Sequence, residues 1–247
     1  MSDHELAADL ATRAGELLLE VRTELADADA ADRKAAGDKR SHDFLMAELA
    51  AVRPDDVVMS EESADSQRNP ARLTADRVWI VDPLDGTREF SELGRTDWAV
   101  HVALWQNGEL VAGAVALPAQ GVTLATPTVG APPPAPATAR IVVSRTRPPA
   151  IALAVRDALG GELVEMCSAG AKVASVVQGL SDVYVHAGGQ FEWDSAAPVA
   201  VARAAGLHTS RIDGSPLRYN QPDPKLPDLI VCRPEYAQAV LAVTNPR

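Results

Sequence analysis

Positive charge is scarce in this sequence. Lys and Arg number 23 against 34 Asp and Glu, a formal net charge of −11. That balance leaves no basic footprint for duplex nucleic acid. An anionic substrate would need local positive charge, and divalent metal is a ready source. Cysteine is nearly absent: Cys167 and Cys232 are the 2 present, far apart and without the spacing of a zinc site or a CxxC redox pair. They read as small buried hydrophobes in a reducing compartment. No apolar run approaches the ~20 residues of a membrane helix. The N-terminus has neither a basic n-region nor an apolar h-region, so the expected location is the cytoplasm. Internal repeats are lacking too. What is present is an ordinary soluble mix, 47% apolar and 23% charged over 247 residues, enough for one large domain or two small ones.

Leu6, Leu10, Ala14, Leu17, Leu18, Val21 and Leu25 recur at three- and four-residue spacings and predict an amphipathic helix over 3–26, with Ser2 and Glu5 as a capping box. A polar stretch, 27–37, precedes a second helix for which Asp38 is the expected N-cap. Val57-Val58-Met59 reads as a strand running into Glu61-Glu62, residues 63–76 as a polar loop, and Arg77 to Val81 as a buried strand ending at Asp82-Pro83. Two strands joined at Asn107-Gly108 form an expected hairpin. A Pro/Ala-rich loop, 127–139, divides an N-terminal half, 1–126, from a C-terminal half, 140–247, in which strands and helices alternate and a short hairpin is expected at Asp213-Gly214. The class is α/β or α+β, built in layers.

The segment Asp82-Pro83-Leu84-Asp85-Gly86-Thr87 carries the most chemistry. Its two carboxylates straddle a proline that fixes the turn, and Gly86 lets backbone amides approach an anion. Hard cations such as Mg²⁺ take oxygen ligands of this kind. The same residues also suit a solvated turn. Glu61 follows another short strand, and Asp194 stands at a helix start, where a plain N-cap is the default reading. Gathered in one site, Glu61, Asp82, Asp85 and Asp194 could not all stay ionised without divalent ions. A phospho-aspartate nucleophile of the D-x-D-G-T kind is excluded by register, because two residues separate Asp82 from Asp85.

Glu61-Glu62, Asp82 to Thr87 and Trp193-Asp194-Ser195-Ala196-Ala197, in that order, resemble the motifs of the inositol monophosphatase superfamily, Mg²⁺-dependent, lithium-sensitive phosphomonoesterases. The resemblance implies a layered α-β-α-β-α sandwich and two or three Mg²⁺ ions. Their implied ligands are Glu61, Asp82, Asp85, Asp194 and the Leu84 carbonyl. It implies that Gly86 and Thr87 amides hold the phosphate, that the Thr87 hydroxyl orients water, and that Asp38 orients Thr87. Asp38, Glu61 and Thr87 are thus the implied catalytic residues. The family's V-T-x-A-D segment is Lys34-Ala35-Ala36-Gly37-Asp38 here, without the threonine.

Ser168-Ala169-Gly170-Ala171-Lys172, Ser144-Arg145-Thr146 and the Asp194 to Pro198 run resemble the bisphosphate-nucleotidase branch, with the bacterial CysQ type the nearest in pattern. That likeness implies removal of the 3′-phosphate of 3′-phosphoadenosine 5′-phosphate in sulfate assimilation. Inositol-1-phosphate and fructose-1,6-bisphosphate are the alternatives, and a non-catalytic metal- or nucleotide-binding module is the alternative of another kind. Arg145, Arg147, Ser168, Gly170, Lys172 and Asp194 are the expected substrate contacts. Glu192, Trp193 and Tyr219 are candidates for the nucleoside side. The expected partner is a small phosphate monoester, with no nucleic acid and no membrane, in a chain able to pair as a homodimer. His101 and His186 read as structural.

Overall fold

The alternation of buried residues along the Arg77 to Val81 strand fixes the architecture. Trp79 and Val81 pack on one face against Leu6, Leu10 and Leu18, while Val78 and Ile80 face the opposite way, toward Ala196, Ala197 and Tyr184. A strand apolar on both faces must be covered on both. The computed structural model describes residues 1–245 and shows how this is done.

A first 5-stranded sheet runs in the order β1 (Val57–Ser60), β2 (Arg77–Asp85), β3 (Ala99–Gln106), β4 (Glu109–Leu117), β5 (Val122–Ala125). Only β1 and β2 are parallel in it. The second 5-stranded sheet uses β6 (Arg140–Ser144), β7 (Glu162–Met166), β8 (Val183–Phe191), β9 (His208–Ser210) and β10 (Lys225–Cys232), in the order β7-β6-β8-β10-β9. The helices are α1 (Asp3–Glu24), α2 (Ala30–Val52), α3 (Ala64–Arg68), α4 (Thr87–Ser91), α5 (Ala150–Leu159), α6 (Ala169–Val177), α7 (Glu192–Ala204) and α8 (Pro234–Thr244). Helices α1 and α2 cover the outer face of the first sheet, α6 and α7 lie between the sheets, and α5 and α8 cover the outer face of the second. This is the α-β-α-β-α layering expected from the sequence. Among the described residues, no helix is long and apolar enough to cross a membrane.

Several local expectations hold. The Ser2–Glu5 capping box opens α1, and Asn107 and Gly108 turn between β3 and β4 with φ of 49° and 99°, as a two-residue hairpin demands. Both cysteines are buried and free. Others do not hold. Helix α2 begins at Ala30, because Asp29 caps it by accepting the Asp32 N–H at 2.8 Å. Asp38 is therefore no N-cap but a residue of the middle of α2. The expected polar loop over 63–76 contains α3 and a 3₁₀ turn, Pro70–Leu73. At Asp213-Gly214 a turn forms, with the Gly214 N–H on the Arg211 carbonyl at 3.0 Å, but the hairpin is not short: the antiparallel partner of β9 is β10, which begins only at Lys225.

Helix α2 is brought close to the end of β2 by Gly37. A Cβ at that position would fall 2.7 Å from Cε1 of Phe90 and 2.9 Å from Cδ2 of Leu84. The absence of a side chain there is what lets the neighbouring Asp38 approach Thr87. Gly37→Val is expected to lower stability by about 1–3 kcal/mol through overpacking, well above its small gain in helix propensity. Urea unfolding checks it, and stability within 0.5 kcal/mol or so of wild type, the range of an ordinary surface change, would contradict this close packing.

Candidate active site

In a regular strand, Asp82 and Asp85 would point to opposite faces, because they are an odd number of residues apart. They share one site because the ladder slips between them: Asp82 pairs with His101, and Asp85 with Ala99. Pro83 has no N–H for the ladder, and the bulge that accommodates it turns the strand end. The turn is well tied. Ser41 donates to the Pro83 carbonyl at 2.7 Å, the Leu84 N–H donates to Asp82 Oδ1 at 3.0 Å, and the Thr87 hydroxyl donates to the Leu84 carbonyl at 3.1 Å. Gly86 follows with φ of 86°, and a Cβ there would fall 3.0 Å from Cβ of Ser168.

Ser168 belongs to the second half of the fold. It caps α6 with φ of 55°, a conformation costly for a residue other than glycine. That strain aims three donors at Asp85. The Ser168 hydroxyl donates at 2.5 Å, the Gly170 N–H at 2.6 Å and the Ala169 N–H at 3.2 Å. The positive end of the α6 dipole acts in the same direction. Lys172 is buried, donates to the Ser168 carbonyl at 2.6 Å and lies over the Tyr184 ring. It thus braces the turn from within.

Asp194 comes from the first turn of α7. It is not the N-cap, because α7 starts at Glu192. Its Oδ2 accepts the Phe191 N–H at 2.6 Å. Oxygen atoms of Asp82, Asp85 and Asp194 lie within 4.8 Å of one another. Glu61, at the end of β1, joins the group through a side-chain hydrogen bond to Asp82. Asp38 reaches Thr87 by a side-chain bond from α2.

His101 completes the cluster, although in sequence nothing marks it beyond a place in a strand. It is fully buried. Nδ1 is 3.1 Å from the Trp193 carbonyl and Nε2 is 3.3 Å from Asp85 Oδ2. The Trp193 carbonyl is an acceptor, so Nδ1 carries a proton, while Nε2 stands at ion-pair distance from Asp85 without a hydrogen bond. Burial alone would lower its pKa, but the adjacent Asp85 raises it. Gly170 makes room for the ring: a Cβ there would overlap Nε2, at 1.9 Å.

The carboxylates divide accordingly. Burial pushes Asp85 up, yet His101, Ser168 and the Gly170 amide overcome this and hold it at about 2. Burial raises Glu61 to about 7, helped by the charges of Asp194, Asp85 and Glu62. Burial and then Asp85 raise Asp194 to about 6, and burial and then Glu62 raise Asp38 to about 6. Asp82 is driven well up by burial and by Glu61, Asp85 and Asp194. Its Oδ2 is buried without a hydrogen-bond partner. An oxygen-rich group with an orphaned buried carboxylate oxygen fits a hard divalent cation.

Arg145 is engaged with Glu89 at 3.4 Å and Glu92 at 3.6 Å, and Arg147 is exposed. Glu192, Trp193 and Tyr219 are 1%, 3% and 3% exposed and face the interior, so they do not line a nucleoside cleft. Glu192 is occupied by the N–H groups of Asn220 and Gln221. Phe191, stacked on Trp193 at 4.6 Å, is the aromatic ring left open beside Asp194.

The raised carboxylates make the chelated protein sensitive to pH. Each binds its proton more tightly folded than unfolded, so stability falls as pH rises through its unfolded value toward its folded one. His101, also raised, loses its contribution in the same direction. Asp85 has the opposite sign, but its contribution disappears only on acidification below about 4. In EDTA the melting temperature is therefore expected to fall from pH 5 to 8, and saturating Mg²⁺ should flatten that decline. A flat or rising profile in EDTA would contradict the assignment.

Comparison with known proteins agrees with this geometry. Residues 3–131 and 136–244 match the inositol monophosphatase family. A Mycobacterium leprae protein named 3′-phosphoadenosine 5′-phosphate phosphatase is 52% identical, over 98% of this chain and 93% of its own. The Escherichia coli 3′(2′),5′-bisphosphate nucleotidase CysQ is 30% identical, over 85% of this chain and 91% of its own. The crystal structure of CysQ from Bacteroides thetaiotaomicron, described as a bacterial member of the inositol monophosphatase family, superposes with a TM-score of 0.77 at 26% identity. That match covers 94% of this chain and 97% of that one. By sequence, layering and the carboxylates gathered at the end of β2, the chain belongs to the inositol monophosphatase family.

Proposed function

We propose that this protein is a Mg²⁺-dependent phosphomonoesterase that removes the 3′-phosphate of 3′-phosphoadenosine 5′-phosphate, acting in the cytoplasm during sulfate assimilation. The observation that carries the chemistry is the meeting of Asp82, Asp85 and Asp194 within 4.8 Å beside the Gly86-Thr87 turn. The substrate is drawn from the 52%-identical relative, whose name specifies it.

On this reading Glu61, Asp82, the Leu84 carbonyl, Asp85 and Asp194 hold the ions. Bound divalent ions would offset the carboxylate charge, activate water and polarise the phosphoryl oxygens. The chain's own residues do the rest. The positive φ of Gly86 presents the first amides of α4 toward the phosphate. Thr87 orients the attacking water: with its hydroxyl turned from the Leu84 carbonyl to Asp38, it gives its proton to that carboxylate as it takes one from the water. Ser168 and Gly170 hold Asp85 ionised, so one ligand is always ready. Phe191 offers a base an aromatic face, worth about 1–3 kcal/mol where such stacking is made. Lithium sensitivity belongs to the same reading and follows from a weakly held ion at Glu61.

The bisphosphate is expected to exceed 3′-AMP in kcat/KM by about ten- to a hundredfold, since a hydrogen bond to a charged group contributes roughly 1.5–3 kcal/mol. Arg147→Ala should lower the bisphosphate rate alone. Lys172→Ala should slow both compounds, because Lys172 braces the Ser168 turn. Equal turnover of the two compounds by wild type would sink the nucleotidase reading and favour an inositol or sugar phosphate.

Asp82→Asn is expected to abolish activity with little loss of fold. More than about a tenth of wild-type kcat at saturating Mg²⁺, a deficit of only ~1.4 kcal/mol, would refute its role as a residue that would hold the ions.

A further inference from the structure

A second buried charge lies outside the carboxylate cluster, and nothing in the reaction uses it. Arg72, in the Pro70–Leu73 turn, is 1% exposed. Its guanidinium donates to three neutral oxygens: Nε to the Gln67 carbonyl at 2.9 Å, Nη1 to Asn220 Oδ1 at 2.9 Å and Nη2 to the Pro222 carbonyl at 3.1 Å. Asn220 answers from Nδ2 to the Arg72 carbonyl at 2.7 Å. Burying a guanidinium is costly. Its planar fork reaches diverging acceptors that an ammonium cannot hold together.

The bonds continue in both directions. Gln67 Nε2 donates to the carbonyls of Glu61 at 2.6 Å and Ser60 at 3.2 Å. On the other side, the N–H groups of Asn220 and Gln221 donate to the Glu192 carboxylate at 2.6 and 2.8 Å. Glu192 opens α7, two residues before Asp194. One continuous path of hydrogen bonds thus joins the segment bearing Glu61, from the first sheet, to the helix turn bearing Asp194, from the second half of the fold. Arg72 is its midpoint.

We propose that Arg72 is a positioning residue: it fixes the Glu61 segment against the start of α7 and so sets the spacing of two carboxylates that bind divalent cation. The proposal rests on the reading of Glu61 and Asp194 as ion ligands. Asn220, with φ of 58°, is the partner that receives Arg72 on the α7 side.

Mn²⁺ binding to the full chain, followed by the electron paramagnetic resonance of free Mn²⁺ and by calorimetry, tests this without reference to turnover. Arg72→Lys and Asn220→Gly, the latter keeping the positive φ, are expected to raise the Mn²⁺ dissociation constant at least about tenfold, a change of ~1.4 kcal/mol. Activity should recover as Mn²⁺ is raised. Arg233→Lys is the control. Arg233 is equally buried but holds Asp182 in the second sheet, so its variant should lose melting temperature and keep Mn²⁺ affinity. Glu61→Gln gives the loss expected when the ligand itself is removed. Affinity within about twofold of wild type in both Arg72→Lys and Asn220→Gly would overturn the proposal, being under ~0.5 kcal/mol. So would an equal loss in Arg233→Lys. Should one variant fail to fold, the other decides; should both fail, Gln67→Met decides. If Glu61→Gln binds Mn²⁺ as wild type does, the ligand reading falls and the role of Arg72 with it. If only Glu61→Gln weakens binding, the ligand reading stands and the role of Arg72 does not.

Discussion

Mutual repulsion among carboxylates held out of water is the constraint on which this structure turns. Asp82 is fully buried and Asp85 nearly so, and Asp194 and Glu61 adjoin them. At short range inside a protein, like charges raise one another's proton affinity until some of them neutralise. The fold resists relaxation by anchoring the four carboxylates to three different elements. Asp82 and Asp85 sit on the bulged end of β2, Asp194 on the first turn of α7, and Glu61 after β1. Separating them would require prying apart the first sheet and the helix layer between the sheets, where the largest apolar cluster lies.

The cluster is also deliberately unequal. Asp85 receives the α6 N-terminus and the Ser168 hydroxyl beside the His101 ring, and stays ionised at about 2. Asp82 accepts one backbone donor, the Leu84 N–H on Oδ1, and has like-charged Glu61, Asp85 and Asp194 around it. On the proposed reading, one carboxylate is a permanent anion and the others are completed by cations. The strained backbone at Ser168 and the missing side chain at Gly170 are explained by the same demand, because they bring donors and the His101 ring to one carboxylate.

Much of this was legible in the sequence, and the exceptions have physical causes. The D-P-L-D-G-T run announces a turn at a strand end, and the apolar periodicities give the layers, because both signals are local. The start of α2 is ambiguous in sequence, since Asp29 and Asp38 are equally good caps in isolation, and only packing at Gly37 selects the longer helix. His101 was unreadable because its partners, Asp85 and Trp193, are met through tertiary structure. Lys172 was visible as a charge, but only the fold shows that it points inward to the Ser168 carbonyl. Glu192 likewise carries no sign in sequence that its carboxylate is taken by the Asn220 and Gln221 amides.

On the proposed reading, the folded, metal-free site holds protons that divalent ions must displace. Calorimetric titration of chelated protein with Mg²⁺, repeated in buffers of different ionisation enthalpy, counts those protons directly. Net proton release on binding is expected to be large near pH 6, where Glu61 is largely and Asp194 about half protonated, and to shrink toward pH 8. Mg²⁺ binding without proton release at pH 6, or no binding at all, would contradict it.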